Sequence, residues 1–177
     1  MAITKILYRN GGLRQAIDYI TNPVKTDENL LTDYVRCDPG YAAQQMMDTK
    51  RALGKTAGRQ CYHIIQSFKP DEITPELAHE IARQFAAEHL PGYEAVIATH
   101  VDKAHIHSHI VFNSVNAVTG KMYHSTCENY YKQIRGVSDR LCKAHGLSII
   151  LESDEKKAVS YACLLYTSPS PRDRSLS

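Results

Sequence analysis

The chain has 177 residues, 43% of them hydrophobic and 23% charged, enough for one domain with a real core. No apolar run reaches the roughly 18 residues of a membrane span, the N-terminus lacks a signal-peptide apolar region, and five cysteines without a C-x-x-C pair read as reduced thiols in a cytoplasmic protein. A net charge of +2 is too weak to imply nucleic acid, so any such claim must rest on local groups.

Ile3 to Tyr8 alternates weakly and reads as a first strand. Asn10-Gly11-Gly12 is a turn. Leu13 to Ile20 is a short helix with the stripe Leu13, Ala16, Ile17 and Ile20. Tyr19 sits about 110° from the centre of that stripe at about 100° per residue, so it lies on the flank. Lys25 to Asn29 is a charged loop and Leu31 to Arg36 a short strand. Asp38-Pro39-Gly40 opens a helix to about Leu53, with Ala43, Met46, Met47 and Leu53 as its buried side and Gly54 as a good terminator. Arg51, Lys55 and Arg59 cluster beyond it, either as a solvated surface or as a contact for a phosphate backbone. Gln60 to Phe68 is a strong strand signal, with His63 and Ser67 sharing one face. Thr74 caps a helix with Pro75 at its first position, running to about His89. The stripe Leu77, Ile81, Ala82 and Phe85 leaves His79 facing solvent.

The stretch from Tyr93 to Val115 holds the chemistry. Tyr93 to His100 and His105 to Val115 read as a hairpin, and four of the nine histidines lie between His100 and His109. On a strand, His105, His107 and His109 point the same way. With the turn at Lys103-Ala104, His100 faces His107 directly, with Cβ atoms roughly 5 Å apart, and His109 lies on the diagonal. Three imidazoles without an obvious fourth ligand suit an open metal site. His105 is either a ligand in place of His100, an outer partner or a DNA contact. Imidazole suits zinc, nickel, copper or iron, whereas magnesium prefers oxygen. Asn113 shares the face, but about 13 Å beyond His109 at about 3.3 Å per residue, so a DNA contact or a structural amide fits it better than ligation.

Asn116 to Lys121 is a loop returning through Met122-Tyr123. Ser125-x-x-Glu128 is a capping box for a helix to His145, closed by Gly146, with Lys132, Arg135 and Lys143 on exposed sides. Leu147 to Leu151 is a candidate edge strand. Residues 163–177, rich in Ser, Pro and Arg, read as a translated sequencing adapter, with a disordered natural tail as the alternative. The domain is therefore expected to span residues 1–162 and to be the N-terminal part of a longer protein. The pattern as a whole is α+β: a central antiparallel sheet of about five strands, with helices packed against one face and the other face holding the metal.

His100, Asp102, His107, His109 and Asn113 form His-x-Asp, then His-x-His seven residues after the first histidine, then Asn four beyond. This resembles the third motif of relaxases, the mobilisation nucleases (MobP-like) of conjugative plasmids and integrative elements. They belong to the HUH (histidine, hydrophobic, histidine) endonucleases. Tyr19 in a Tyr-Ile context resembles their first motif, and Gln60 to Phe68 their second. The resemblance implies a DNA nuclease at a transfer origin. Tyr19 would attack and stay attached to the 5′ end, while His100, His107 and His109 would hold a divalent ion. Mg2+ or Mn2+ is expected, with Zn2+ or Ni2+ as alternatives. Asp102 would orient an imidazole or take the tyrosine proton, the first being preferred. Lys103, His105, His63 and Asn113 are candidates for outer-partner or DNA-contact roles. Tyr8, and then the Tyr130-Tyr131 pair, are the fallback nucleophiles. The implied partners are single-stranded DNA, an accessory mobilisation protein and a coupling protein, in a bacterial cytoplasm. Two other readings are a rolling-circle replication initiator of the same superfamily and a non-catalytic DNA- or metal-binding module.

Overall fold

The computed structural model describes residues 2–149. Five strands form one antiparallel sheet: β1 (Ile3–Arg9), β2 (Thr32–Val35), β3 (Cys61–Ser67), β4 (Ala95–His100) and β5 (His107–Asn113), in the order β1-β3-β5-β4-β2. The N-terminal strand is thus one edge and β2 the other, with β5 between β3 and β4. The candidate ligands therefore ride on interior strands, hydrogen-bonded on both sides.

Period-2 alternation splits these strands cleanly between two cores. Even positions of β5 and β3 (Ile110, Phe112, Tyr62, Ile64) meet α3 (Pro75–His89), a π-helical stretch (Tyr130–Arg135) and α5 (Gly136–Ala144) through Ile81, Phe85, Ile134 and Leu141. Odd positions (Val111, Cys61), with Val96 and Ala98 of β4, meet α1 (Leu13–Ile20) and α2 (Ala42–Ala52) through Leu13, Ile17, Ile20 and Met46. Helices therefore cover both faces, where a one-sided arrangement was expected. The histidine face is roofed by α1 and α2, with the last residues of α1, Tyr19 and Ile20, reaching the ligand end.

Several local expectations change. Leu53 is 40% exposed, while Lys50 is fully buried. Lys50 follows Ala42 and Met46 at i+4 spacing on the inner side of α2. His79 is buried too, with its ring nitrogens bonded to Thr99 Oγ1 (3.0 Å) and Asp33 Oδ2 (2.9 Å). These partners lie on β4 and β2, so the helix periodicity alone could not reveal them. The last helical region is capped by Thr126, which accepts from the Asn129 N–H, and not by Ser125. α4 (Cys127–Asn129) leads into the π-helical stretch. Arg135 is buried beside Asp139. The Arg51, Lys55 and Arg59 cluster is spoken for: Arg51 pairs with Asp48, Lys55 donates to the Gly120 carbonyl, and Arg59 lies over the Tyr8 ring and donates to the Tyr62 hydroxyl. Residues 147–149 form no strand. The rest of that candidate strand and residues 163–177 lie outside the described residues. No helix among the described residues is long and apolar enough to cross a membrane.

Candidate metal centre and its tyrosine

The β4–β5 register pairs His100 with His107 and Ala98 with His109. Alanine opposite His109 leaves room for the ring. The imidazoles of His100, His107 and His109 are buried, and one nitrogen from each lies within 4.8 Å of the others. Ring centroids are 5.1 Å apart for His100–His107, 4.3 Å for His100–His109 and 4.9 Å for His107–His109.

Each ring has one nitrogen tied down. The Ile20 carbonyl lies in the last turn of α1, where backbone acceptors lack intrahelical donors, and His100 Nε2 bonds it at 2.9 Å. His107 Nδ1 bonds the His105 carbonyl at 3.1 Å. His109 Nδ1 lies 2.8 Å from His63 Nε2. The first two bonds require the named nitrogen to carry the proton. His100 then keeps its lone pair on Nδ1 and His107 on Nε2. His109 Nε2 and His100 Nδ1 are buried without a hydrogen-bond partner. Orphaned buried nitrogens are costly, about 1–3 kcal/mol each. Two of them aimed into a three-imidazole cluster make a donor set that fits a divalent transition ion, with outer partners already fixing each ring.

The electrostatics agree. Burial first, then the neighbouring His63, His100 and His107 and the Lys25 charge, push His109 down to about 2. Burial also lowers His100 and His107. His63 falls to about 4, mainly by burial and then through the Arg9 charge. All four rings are therefore neutral at pH 7, the form in which imidazole binds a metal.

Tyr19, 47% exposed, stands beside the cluster. Its ring meets His100 edge-on at 5.8 Å and His109 at 6.0 Å between centroids. The fallback tyrosines are elsewhere. Tyr8 pairs across the sheet with Tyr62, on the α3 side. Tyr130 donates to the Thr4 carbonyl and packs on the same core as α3.

The model for the family "Relaxase: MobA/VirD2-like, nuclease domain" matches residues 19–147. The chain belongs to the relaxase family. A Staphylococcus aureus protein named "Protein rlx" is 36% identical over 149 residues, covering 84% of this chain and 45% of the relative. The "Group II intron-interrupted relaxase LtrB" of Lactococcus lactis is 42% identical, covering 84% of this chain and 33% of the relative. This relaxase chain thus spans less than half the length of these curated relatives. A solved structure described as "Molecular Basis of Vancomycin Resistance Transfer in Staphylococcus aureus" superposes with a TM-score of 0.56 at 12% identity. It covers 84% of this chain and 96% of the other, a likeness of fold.

The remaining candidate residues of this relaxase divide. His63 is buried behind His109, out of reach of DNA. His105 serves through its backbone carbonyl, and its imidazole is exposed and outside the cluster. Asp102 and Lys103 are exposed at the rim. The nitrogens Asp102 was expected to orient are bonded to Ile20, His105 and His63, which corrects the preferred role for it. Asn113 is a structural amide, buried and donating to the Met46 carbonyl and to Glu94 Oε2. Sequence reasoning missed Lys25, whose ammonium sits 4.1 Å from the Tyr19 ring centroid.

Proposed function

We propose that this chain is the nuclease portion of a relaxase that nicks one DNA strand at a transfer origin to start conjugative mobilisation. The observation that carries the reading is the phenol of Tyr19, set edge-on to two imidazoles whose inner nitrogens have no partner. A phenol attacks poorly at its ordinary pKa of about 10 and needs help to become the phenolate. In the step, the Tyr19 Oη–P bond forms as the P–O3′ bond breaks. The phenolic proton passes to Asp102, the exposed carboxylate at the rim, and the departing 3′ oxygen takes a proton from solvent. The phosphotyrosine keeps a phosphodiester, so the strand can later be rejoined. A divalent ion on His100, His107 and His109 supplies positive charge to the scissile phosphate when bound. By ligand type an all-imidazole set suits Zn2+ or Ni2+ better than Mg2+ or Mn2+, whereas the family resemblance points to Mg2+ or Mn2+, of which Mn2+ serves as the probe. Single-stranded DNA is the substrate, and an accessory mobilisation protein and a coupling protein in a bacterial cytoplasm are the partners.

The test is covalent capture. The chain is incubated with Mn2+ and a random-sequence pool of single-stranded DNA labelled at the 3′ end. Wild type should give a labelled adduct stable to detergent, and sequencing the captured strands reads the nick site. Tyr19→Phe should give none. An adduct from Tyr19→Phe would move the nucleophile elsewhere, and no adduct from wild type would sink the nuclease reading.

A further inference from the structure

The loop between α1 and β2 brings a cation to the tyrosine that no motif marks. Resting on the reading of Tyr19 as nucleophile, we propose that Lys25 is a further catalytic residue. Its ammonium holds the Tyr19 ring and donates to a non-bridging oxygen of the scissile phosphodiester.

Lys25 is half-buried and has no ion-pair partner among the described residues. Its nitrogen is 4.1 Å from the Tyr19 ring centroid, inside the range where a cation is drawn to an aromatic face. It is close enough to the cluster for its charge to act on both His100 and His109. Lys25 has no carboxylate at ion-pair distance among the described residues, and a divalent ion on the three imidazoles together with its ammonium would outweigh the one carboxylate that reaches the cluster, Asp102. A phosphodiester, with one negative charge shared over two non-bridging oxygens, supplies the missing anion.

The backbone fixes this placement. The Val101 N–H, directly after His100, donates to the Lys25 carbonyl at 2.9 Å, and the Lys25 N–H donates to the Asn22 carbonyl at 2.9 Å. Thr26, fully buried, has its hydroxyl 3.1 Å from the Asn22 carbonyl and 3.3 Å from Asn29 Oδ1. Asp27, Glu28 and Asn29 are consecutive left-handed residues, with φ of 50, 53 and 71°. Asp27 and Asn29 tolerate that region, whereas Glu28 costs about 1–2 kcal/mol there and persists only where surrounding structure over-determines it. Lys25 is thus delivered by a strained, anchored loop tied to the ligand strand. In the step it exchanges no proton and no other atom. As the Tyr19 Oη–P bond forms, charge builds on the non-bridging oxygens and its hydrogen bond strengthens.

The experiment uses the strand recovered by capture, at saturating concentration, with single-turnover adduct formation as the readout. Lys25→Met should slow the maximal rate about 10²-fold, the usual effect of losing one such donor. The half-saturating DNA concentration and the Mn2+ isotherm should stay near wild type. Lys25→Arg should recover part of the rate, and it decides the matter if Lys25→Met folds poorly. An unchanged maximal rate in Lys25→Met, or a loss confined to half-saturation, would overturn the proposal. A full-speed Lys25→Met with an inactive Tyr19→Phe removes Lys25 alone, whereas a wild type that forms no adduct removes the nuclease reading itself.

Discussion

One face of the sheet carries two buried polar clusters, at opposite ends of the same strands. At one end His100, His107 and His109 meet with two nitrogens unpaired. At the other, Lys50 points its ammonium at the Arg59 and Gln60 carbonyls, Gln60 Oε1 and Ser114 Oγ. Beside it, Glu94 accepts from Thr49 at 2.8 Å and from Asn113 at 2.7 Å. Burial lowers Lys50 to about 8, so it remains largely charged at pH 7. Both clusters are buried and both are rich in titratable groups. They differ in completeness. A closed set of donors and acceptors is scaffold, because nothing is left for a ligand to satisfy. An open set marks a place where something else binds.

The largest expected effect tests the open end. His107→Ala should cost Mn2+ affinity, by isothermal titration, far more than the roughly 10²-fold of losing an outer partner, with little change in the urea midpoint. Retained binding would break the contrast and free His107 of its role. Lys50→Met tests the closed end. It removes the buried ammonium of that end, although the Arg59 and Gln60 carbonyls keep the Ser114 hydroxyl and N–H, and should lower unfolding free energy in urea by about 2 kcal/mol, leaving the Mn2+ isotherm of the folded protein unchanged. A stable Lys50→Met would mean that completeness is not what holds that end. His63→Ala sharpens the boundary between the two. Removing the imidazole bonded to His109 Nδ1 should weaken Mn2+ binding about 10- to 100-fold, and unchanged affinity would make His63 an ordinary core residue.

Much of the site was legible because it depends on one hairpin. The alternation of His107 and His109 and a turn centred on Lys103-Ala104 set the His100–His107 pairing, which the structure bears out, although the connection takes in all of residues 101–106 and so leaves His105 off the strand. The flank position of Tyr19 followed from helix periodicity. What lay hidden depended on non-local pairing. β3 sits between β1 and β5, an order no local pattern specifies, so His63 could be placed on a face but not beside His109. Its odd position on β3 was the available signal. Lys25 lies in a loop whose path is set by bonds to β4, and no period reaches it. Lys50 shared the Ala42–Met46 stripe and was passed over because lysine is rarely buried. His79 was misplaced because its partners come from two strands rather than from its helix.

The bond from His100 to the Ile20 carbonyl has a mechanical meaning if Tyr19 carries a strand. On the proposed reading, the residue next to the attachment point bonds an imidazole of the cluster, so the attached 5′ end would be held on a short leash. It would stay beside the rings, where rejoining to the 3′ hydroxyl would take place, and a tug along the strand would be felt first by that bond.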